Sequence, residues 1–296
     1  MRVISSLEEL AEERLRWWPD GGCGFVPTMG YLHAGHLSLV QQARTDNTSV
    51  VVSIFVNPTQ FGPQEDLSRY PRDLPRDLAM LESVGANIVF TPVASTVYPD
   101  GFVTYVAPTG PLAKRLEGAS RPGHFQGVAT VVLKLFNMVR PAQAYFGQKD
   151  AQQAAVIRRM IADLNLPIKL HVMPTIREAD GLAMSSRNRY LSPPDRTAAT
   201  VLYRALVAGM DTFISHPDGG GAGVRAAMET VVHAEPRATL DYVDCCHPDT
   251  FTPLETPDEL RAPALLCLAV RFGATRLIDN FLLDRDGIWS MGVPVA

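Results

Sequence analysis

Val50-Val51-Val52-Ser53-Ile54-Phe55-Val56, closed by Asn57-Pro58, is the stretch that decides the fold. An unbroken apolar run rich in β-branched residues reads as a strand buried on both faces, and such strands belong to parallel sheets. Pro58 donates no ladder hydrogen bond, so the chain leaves the sheet there. Working outward, Phe25-Val26 ends a shorter apolar run. Asn87-Ile88-Val89-Phe90, Ala144-Tyr145-Phe146 and Ile168-Lys169-Leu170-His171-Val172 read as further strands. Helix is expected from Leu37 to Ala43, over 73–84, over the mostly apolar 127–139 and over the amphipathic 150–164. Strands alternating with helices make βαβ units. The expected fold class is therefore α/β, a Rossmann-like doubly wound parallel sheet filling a domain over 1–174. Beyond about residue 175 the rhythm changes. Residues 194–214 and 221–233 read as helices divided by Asp218-Gly219-Gly220-Gly221, and strands are expected near 238–244, 264–271 and 275–283. This predicts a smaller C-terminal α+β domain over 175–296.

Composition narrows the function classes. The chain has 296 residues, 46% hydrophobic and 20% charged, enough for one large core or two smaller ones. A net charge of −4 argues against nucleic acid as a partner. Cys23, Cys245, Cys246 and Cys267 form no Cys-x-x-Cys pair and read as buried small residues of a reducing, cytoplasmic environment. The first ten residues lack the apolar run of a signal peptide. No stretch approaches the ~20 apolar residues of a membrane span, and the 127–139 run is too short and holds Lys134. Two common nucleotide signatures are missing. There is no Gly-x-x-x-x-Gly-Lys-Ser/Thr loop. Gly22-Cys23-Gly24 precedes its strand instead of following it, with Pro27 in the third glycine position.

In open parallel sheets, ligands bind beyond the carboxyl ends of the strands. Four chemistry-bearing segments follow predicted strands. In Pro27-Thr28-Met29-Gly30-Tyr31-Leu32-His33-Ala34-Gly35-His36, two histidines sit three residues apart at a strand-to-helix junction, and that spacing turns both rings to one side of a helix. The helix start offers N–H groups and partial positive charge suited to phosphate. The alternatives are structural histidines on a capped helix or a zinc site, but zinc wants three or four ligands and no neighbouring Cys or carboxylate completes the set. Gly147-Gln148-Lys149-Asp150 offers a lysine for phosphate and an aspartate able to hold water on magnesium, or else an ordinary capped Lys-Asp pair. Ala183-Met184-Ser185-Ser186-Arg187 reads as a phosphate clamp or a solvated loop. Asn57-Pro58-Thr59-Gln60 suits a polar uncharged substrate region or simple turn chemistry. Arg121-Pro122-Gly123-His124-Phe125 is a fifth candidate, equally readable as a surface turn.

Taken together, PTMGYLHAGH, SIFVNPTQFGPQEDLSRYPRD, RPGHFQGVATVVLKLFN, YFGQKDAQQ and READGLAMSSRNRYLS resemble, in order, the pantothenate synthetase family of the His-x-Gly-His nucleotidylyltransferases. The last 100 residues resemble the family's small C-terminal domain more loosely. The resemblance implies an ATP- and Mg²⁺-dependent condensation of (R)-pantoate with β-alanine through pantoyl adenylate, in a homodimer. It also implies roles. Met29, Gly30, Tyr31, Leu32, His33, Ala34, Gly35 and His36 would line the ATP site. His33 and His36 would stabilise the departing pyrophosphate, with His36 as proton donor. Gly147, Gln148, Lys149, Asp150, Ile176, Met184, Ser185, Ser186 and Arg187 would hold ATP, Lys149 and Arg187 on its phosphates. Gln60 and Gln153 would bind pantoate, and Asn57 would position substrates near the amine step. The second domain would act as a lid over a reactive acyl adenylate. Departures are small. Tyr31 and Ala34 stand where the family more often has Ala and Glu, and Gln148 stands where Glu is usual.

Overall fold

The computed structural model describes residues 1–17, 22–63, 65 and 67–295. Gln64 and Asp66 of the quoted SIFVNPTQFGPQEDLSRYPRD segment lie outside the described residues. The chain divides into two compact units. One holds Met1–Gly147 and Val156–Met173, the other Gln148–Ala155 and Pro174–Ala296.

The first unit is built on a six-stranded sheet: β1 (Arg2–Ile4), β2 (Gly24–Thr28), β3 (Val50–Ile54), β4 (Ile88–Phe90), β5 (Gln143–Gly147) and β6 (Lys169–Met173). Their order is β1-β4-β3-β2-β5-β6 and every pairing is parallel. Val50, Val51 and Val52 of β3 are fully buried, as a central strand covered on both faces requires. One face is filled by Phe25, Val51, Phe90, Phe146 and the apolar side of helix His124–Val139. The other is filled by Val26, Val52, Val89 and helix Ala34–Asp46. The strand order turns around between β2 and β5; the site-bearing loop Met29–His33 leaves the sheet from β2, and Asn57–Gln60 follows β3.

Strand β1 and helix Leu7–Trp17 add to the expected elements. The strand is three residues long with two of them exposed, which leaves no periodicity to read.

The second unit has an antiparallel sheet ordered β11-β10-β9-β8, from β8 (Thr239–Cys246), β9 (Ala264–Phe272), β10 (Thr275–Leu283) and β11 (Trp289–Ser290). Helices Val201–Ser215 and Gly220–His233 cover one face, burying Leu202, Leu206, Val224 and Met228 against Cys245, Leu266 and Leu268. A short parallel pair joins β7 (Ile176–Arg177) to β12 (Val293–Pro294). The expected 194–214 helix is two helices, Pro193–Ala198 and Val201–Ser215. The glycine turn is partly helix: Gly220 and Gly221 open Gly220–His233. A Cβ on Gly221 would lie 1.6 Å from the Leu254 carbonyl oxygen, so only glycine allows that approach.

Candidate active site

The candidate residues are divided between the units. In the first, β2 delivers the chain into the Met29–His33 loop and then into helix Ala34–Asp46. His33 is the N-cap, with its ring Nδ1 accepting from the Gly35 N–H at 3.2 Å. His36 returns the contact: its Nδ1 accepts from the His33 N–H at 3.3 Å. The two rings thus form a reciprocal capping box and lie 4.1 Å apart. An Nδ1 that accepts carries no proton, so each neutral ring holds its proton on Nε2. Capping therefore engages Nδ1, and not Nε2, of both rings.

The loop before them is held by Asp77, whose carboxylate accepts from the Tyr31 N–H (2.7 Å) and the Leu32 N–H (2.8 Å). Tyr31 has φ 51°, a costly left-handed conformation for a non-glycine residue. Two charge-assisted hydrogen bonds offset that cost. Arg76 donates to the Leu32 carbonyl at 3.0 Å and lies over the Tyr31 ring at 5.1 Å. Gly30 has φ 79°, and a Cβ there would also crowd Ile54 and the Asp77 carboxylate. Burial pushes the Asp77 carboxyl above its usual range, against the pull of the two N–H groups and Arg76. In the sequence Asp77 is marked only as an acid in a first helical turn; its partners lie some 45 residues away.

Asn57 and Gln60 also come together. Asn57 caps the 3₁₀ turn Pro58–Gln60 and is almost wholly buried. Its Oδ1 accepts from the Thr59 N–H (3.3 Å), the Thr59 hydroxyl (3.0 Å) and the Tyr98 hydroxyl (2.7 Å). Its Nδ2 donates to Gln60 Oε1 (3.0 Å) and to the Gly127 carbonyl (3.2 Å). Gln60 Nε2 donates to Met29 Sδ at 3.1 Å, tying this turn to the ATP-loop candidate. The Gln60 backbone carbonyl accepts from His124 Nδ1 at 2.9 Å.

The fifth candidate segment belongs to the same cluster. Arg121 makes a bidentate pair with Glu65, both contacts 2.7 Å, and donates to His124 Nε2 at 2.9 Å. A donor on Nε2 leaves the single ring proton on Nδ1, where it serves Gln60. Burial first, and the neighbouring Arg121 charge second, push the His124 imidazole down to about 4. Burial works to raise the Glu65 carboxyl, but the Arg121 hydrogen bonds outweigh it and hold Glu65 below its usual range. Tyr98 and Glu65 were not read from the sequence. Each acts through a partner many positions away, for which one sequence carries no signal.

Gly147 ends β5 in the first unit; Gln148, Lys149 and Asp150 form a 3₁₀ turn in the second. Lys149 Nζ is 3.8 Å from Asp150 Oδ1, the lysine mostly buried and the aspartate half-exposed. Gln153 follows in helix Ala151–Asp163, partly exposed. Ile176 lies in β7, and its carbonyl accepts from the Met184 N–H at 2.9 Å. Ser185 caps the 3₁₀ turn Ser186–Tyr190, its Oγ accepting from the Arg187 N–H at 3.3 Å. Ile176 and the clamp candidates Met184–Arg187 are thus one continuous piece of backbone structure. It is braced by Arg177, which makes a bidentate pair with Asp279 at 2.6 and 2.9 Å and donates to the Gly181 carbonyl at 2.9 Å.

The family model described as pantoate-beta-alanine ligase matches residues 2–282. A relative named pantothenate synthetase from Roseiflexus castenholzii is 58% identical over 284 residues, covering 96% of this chain and 100% of its own. Another from Herpetosiphon aurantiacus is 53% identical, with 96% and 100% covered. The crystal structure of pantothenate synthetase from Thermus thermophilus matches with TM-score 0.89 at 51% identity, over 95% of this chain and 98% of that one. The pantoate-beta-alanine ligase from Francisella tularensis, complexed with beta-gamma ATP and beta-alanine, matches with TM-score 0.79 at 35% identity, over 95% and 97%. With a family match across nearly the whole chain and relatives above half identity behind the histidine cap and the buried Asn57–Gln60 turn, the chain belongs to the pantoate–β-alanine ligase family.

Proposed function

We propose that this chain joins (R)-pantoate to β-alanine in two steps at the expense of ATP. A pantoate carboxylate oxygen attacks the α-phosphorus and pyrophosphate leaves; the β-alanine amine then attacks the acyl carbon, releasing AMP and a proton. The observation that carries the reading is the histidine capping box. It holds two rings 4.1 Å apart at a helix N-terminus, with the proton of each neutral ring on Nε2. Adenylyl transfer depends on positioning and on stabilising charge spread over phosphate oxygens, without a protein nucleophile. Imidazole N–H donors and helix dipole are suited to that task.

In this reading His33 and His36 stabilise the departing pyrophosphate, with His36 as proton donor. Met29 to His36, Gly147 to Asp150, Ile176 and Met184 to Arg187 hold ATP, Lys149 and Arg187 on its phosphates. Gln60 and Gln153 bind pantoate. Asn57 acts by way of Gln60, since both ends of its amide are bonded to protein. The second domain serves as a lid that keeps water from the adenylate.

Mg²⁺ fits the donor set. It is usually held by one or two carboxylates together with substrate phosphates, and half-exposed Asp150 beside Lys149 offers one such carboxylate. Among the described residues no group of three His, Cys, Asp or Glu is placed to cage a metal, which is consistent with an ion carried on the nucleotide. Held there, the ion would supply charge neutralisation on the phosphates. We propose a homodimer in the cytoplasm. The four free, buried cysteines suit a reducing compartment, and no described helix is long and apolar enough to cross a membrane.

The two-step reading is tested with pantoate labelled with ¹⁸O in its carboxylate. Attack on the α-phosphorus leaves one labelled oxygen in AMP. Unlabelled AMP accompanying labelled product would overturn the adenylate route.

A further inference from the structure

The 3₁₀ turn Gln148–Asp150 is too short to hold itself, and its backbone is fixed from β10. Asn280 is 2% exposed. Its carboxamide nitrogen donates to two consecutive carbonyls, Gln148 O at 3.0 Å and Lys149 O at 2.9 Å. Two carbonyl acceptors fix which end of the amide is nitrogen, so Asn280 Oδ1 faces the Gln148 side chain and accepts from Nε2 at 3.3 Å. Gln148 is fixed in the same way: its Nε2 also donates to the Ser290 carbonyl (3.0 Å), and its Oε1 accepts from the Ser290 hydroxyl (2.6 Å). The side chains of residues 148 and 280 thus form a closed amide lock in which every polar atom is engaged. No other standard side chain of this size has one acceptor and two donors on a planar group. A carboxylate at position 280 would turn an oxygen toward two carbonyl oxygens.

Neighbouring residues on a strand point to opposite faces, and β10 uses both. Asp279 holds Arg177, which braces the 176–187 segment through the Gly181 carbonyl, and Asn280 holds the Lys149 turn. We propose that Asn280 is a positioning residue for the adenylation step: through its lock with Gln148 and Ser290 it aims Lys149 and Asp150 at the ATP phosphates. This rests on the reading of Lys149 as a phosphate-binding residue.

The test measures pyrophosphate–ATP exchange on the full chain against graded ATP and pH, for the parent, Lys149→Ala, Asn280→Asp and Ser290→Ala. Lys149→Ala examines the underlying reading by itself: parental exchange in that variant overturns the phosphate role of Lys149, whatever Asn280 does. With Lys149→Ala impaired, Asn280→Asp is expected to raise the KM for ATP roughly tenfold at pH 8, the scale of one misplaced charge-assisted bond. The KM for pantoate should move little. The deficit should narrow as pH falls, because a protonated carboxyl regains one donor. A purely structural role predicts fewer active molecules with KM unchanged at every pH, and that result overturns the proposal. Ser290→Ala removes a single hydroxyl from a half-buried site and guards against a folding failure. It is expected to raise the KM for ATP a few-fold, and a parental KM would contradict the lock.

Discussion

In the proposed function His33 and His36 answer two demands, capping and charge stabilisation. Their Nδ1 atoms complete a helix start whose N–H groups would otherwise lack partners, and this fixes the ring tautomers. Replacing His36 by Asn keeps a polar side chain but loses the Nε2 donor. Exchange is expected to fall on the order of a hundredfold, the range for losing one charge-stabilising donor, while thermal unfolding changes by a few degrees at most. His124 makes the opposite use of an imidazole. Its folded-state value near 4 lies below the ordinary 6.5. The unfolded chain therefore binds the proton first, and the stabilisation is complete above 6.5 and lost as pH falls toward 4. The loss amounts to about 3 kcal/mol. Urea unfolding at pH 7.5 and pH 4.5 should show the parent losing stability more steeply than His124→Gln; equal slopes would contradict a buried neutral ring.

Among elements, the turn Pro58–Gln60 and helix His124–Val139 approach closely enough to demand a glycine. A Cβ on Gly127 would lie 2.3 Å from the Thr59 carbonyl oxygen and 2.7 Å from Gln60 Cα. Gly127→Ala must push the turn away, at a cost of about 2 kcal/mol. We expect it to raise the KM for pantoate, read from initial rates, more than the KM for ATP. The strands were legible because parallel-sheet cores write themselves as apolar runs: 50–56 corresponds to β3 and 87–90 to β4. The turn at Asn57-Pro58 was legible from proline chemistry. What the sequence could not disclose is partnership across distance. Asp77 reads as an acid in a helix start, Arg177 as one arginine in a loop and Asn280 as one polar residue in a strand. Their roles exist only once the chain has folded. The histidine pair was legible by spacing, but not that His33 caps the helix from outside it.

At the scale of the whole molecule, candidate chemistry is spread over both units, and each unit braces its own share with buried polar groups. Asp77 holds the Tyr31 loop in the first. The Arg177–Asp279 pair holds the 176–187 segment in the second, both side chains almost wholly buried. Removing one member of a buried pair strands a charge. Arg177→Met should cost about 3–5 kcal/mol in urea unfolding, and adding Asp279→Leu should recover much of it. No recovery would mean the pair is not the brace.

The central claim is that adenylate forms on pantoate before the amine arrives. The direct measurement is pyrophosphate–ATP exchange with purified protein and Mg²⁺, β-alanine absent, with and without pantoate. We predict exchange only when pantoate is present. Exchange that ignores pantoate, or none with pantoate from folded protein that binds ATP, would contradict the account.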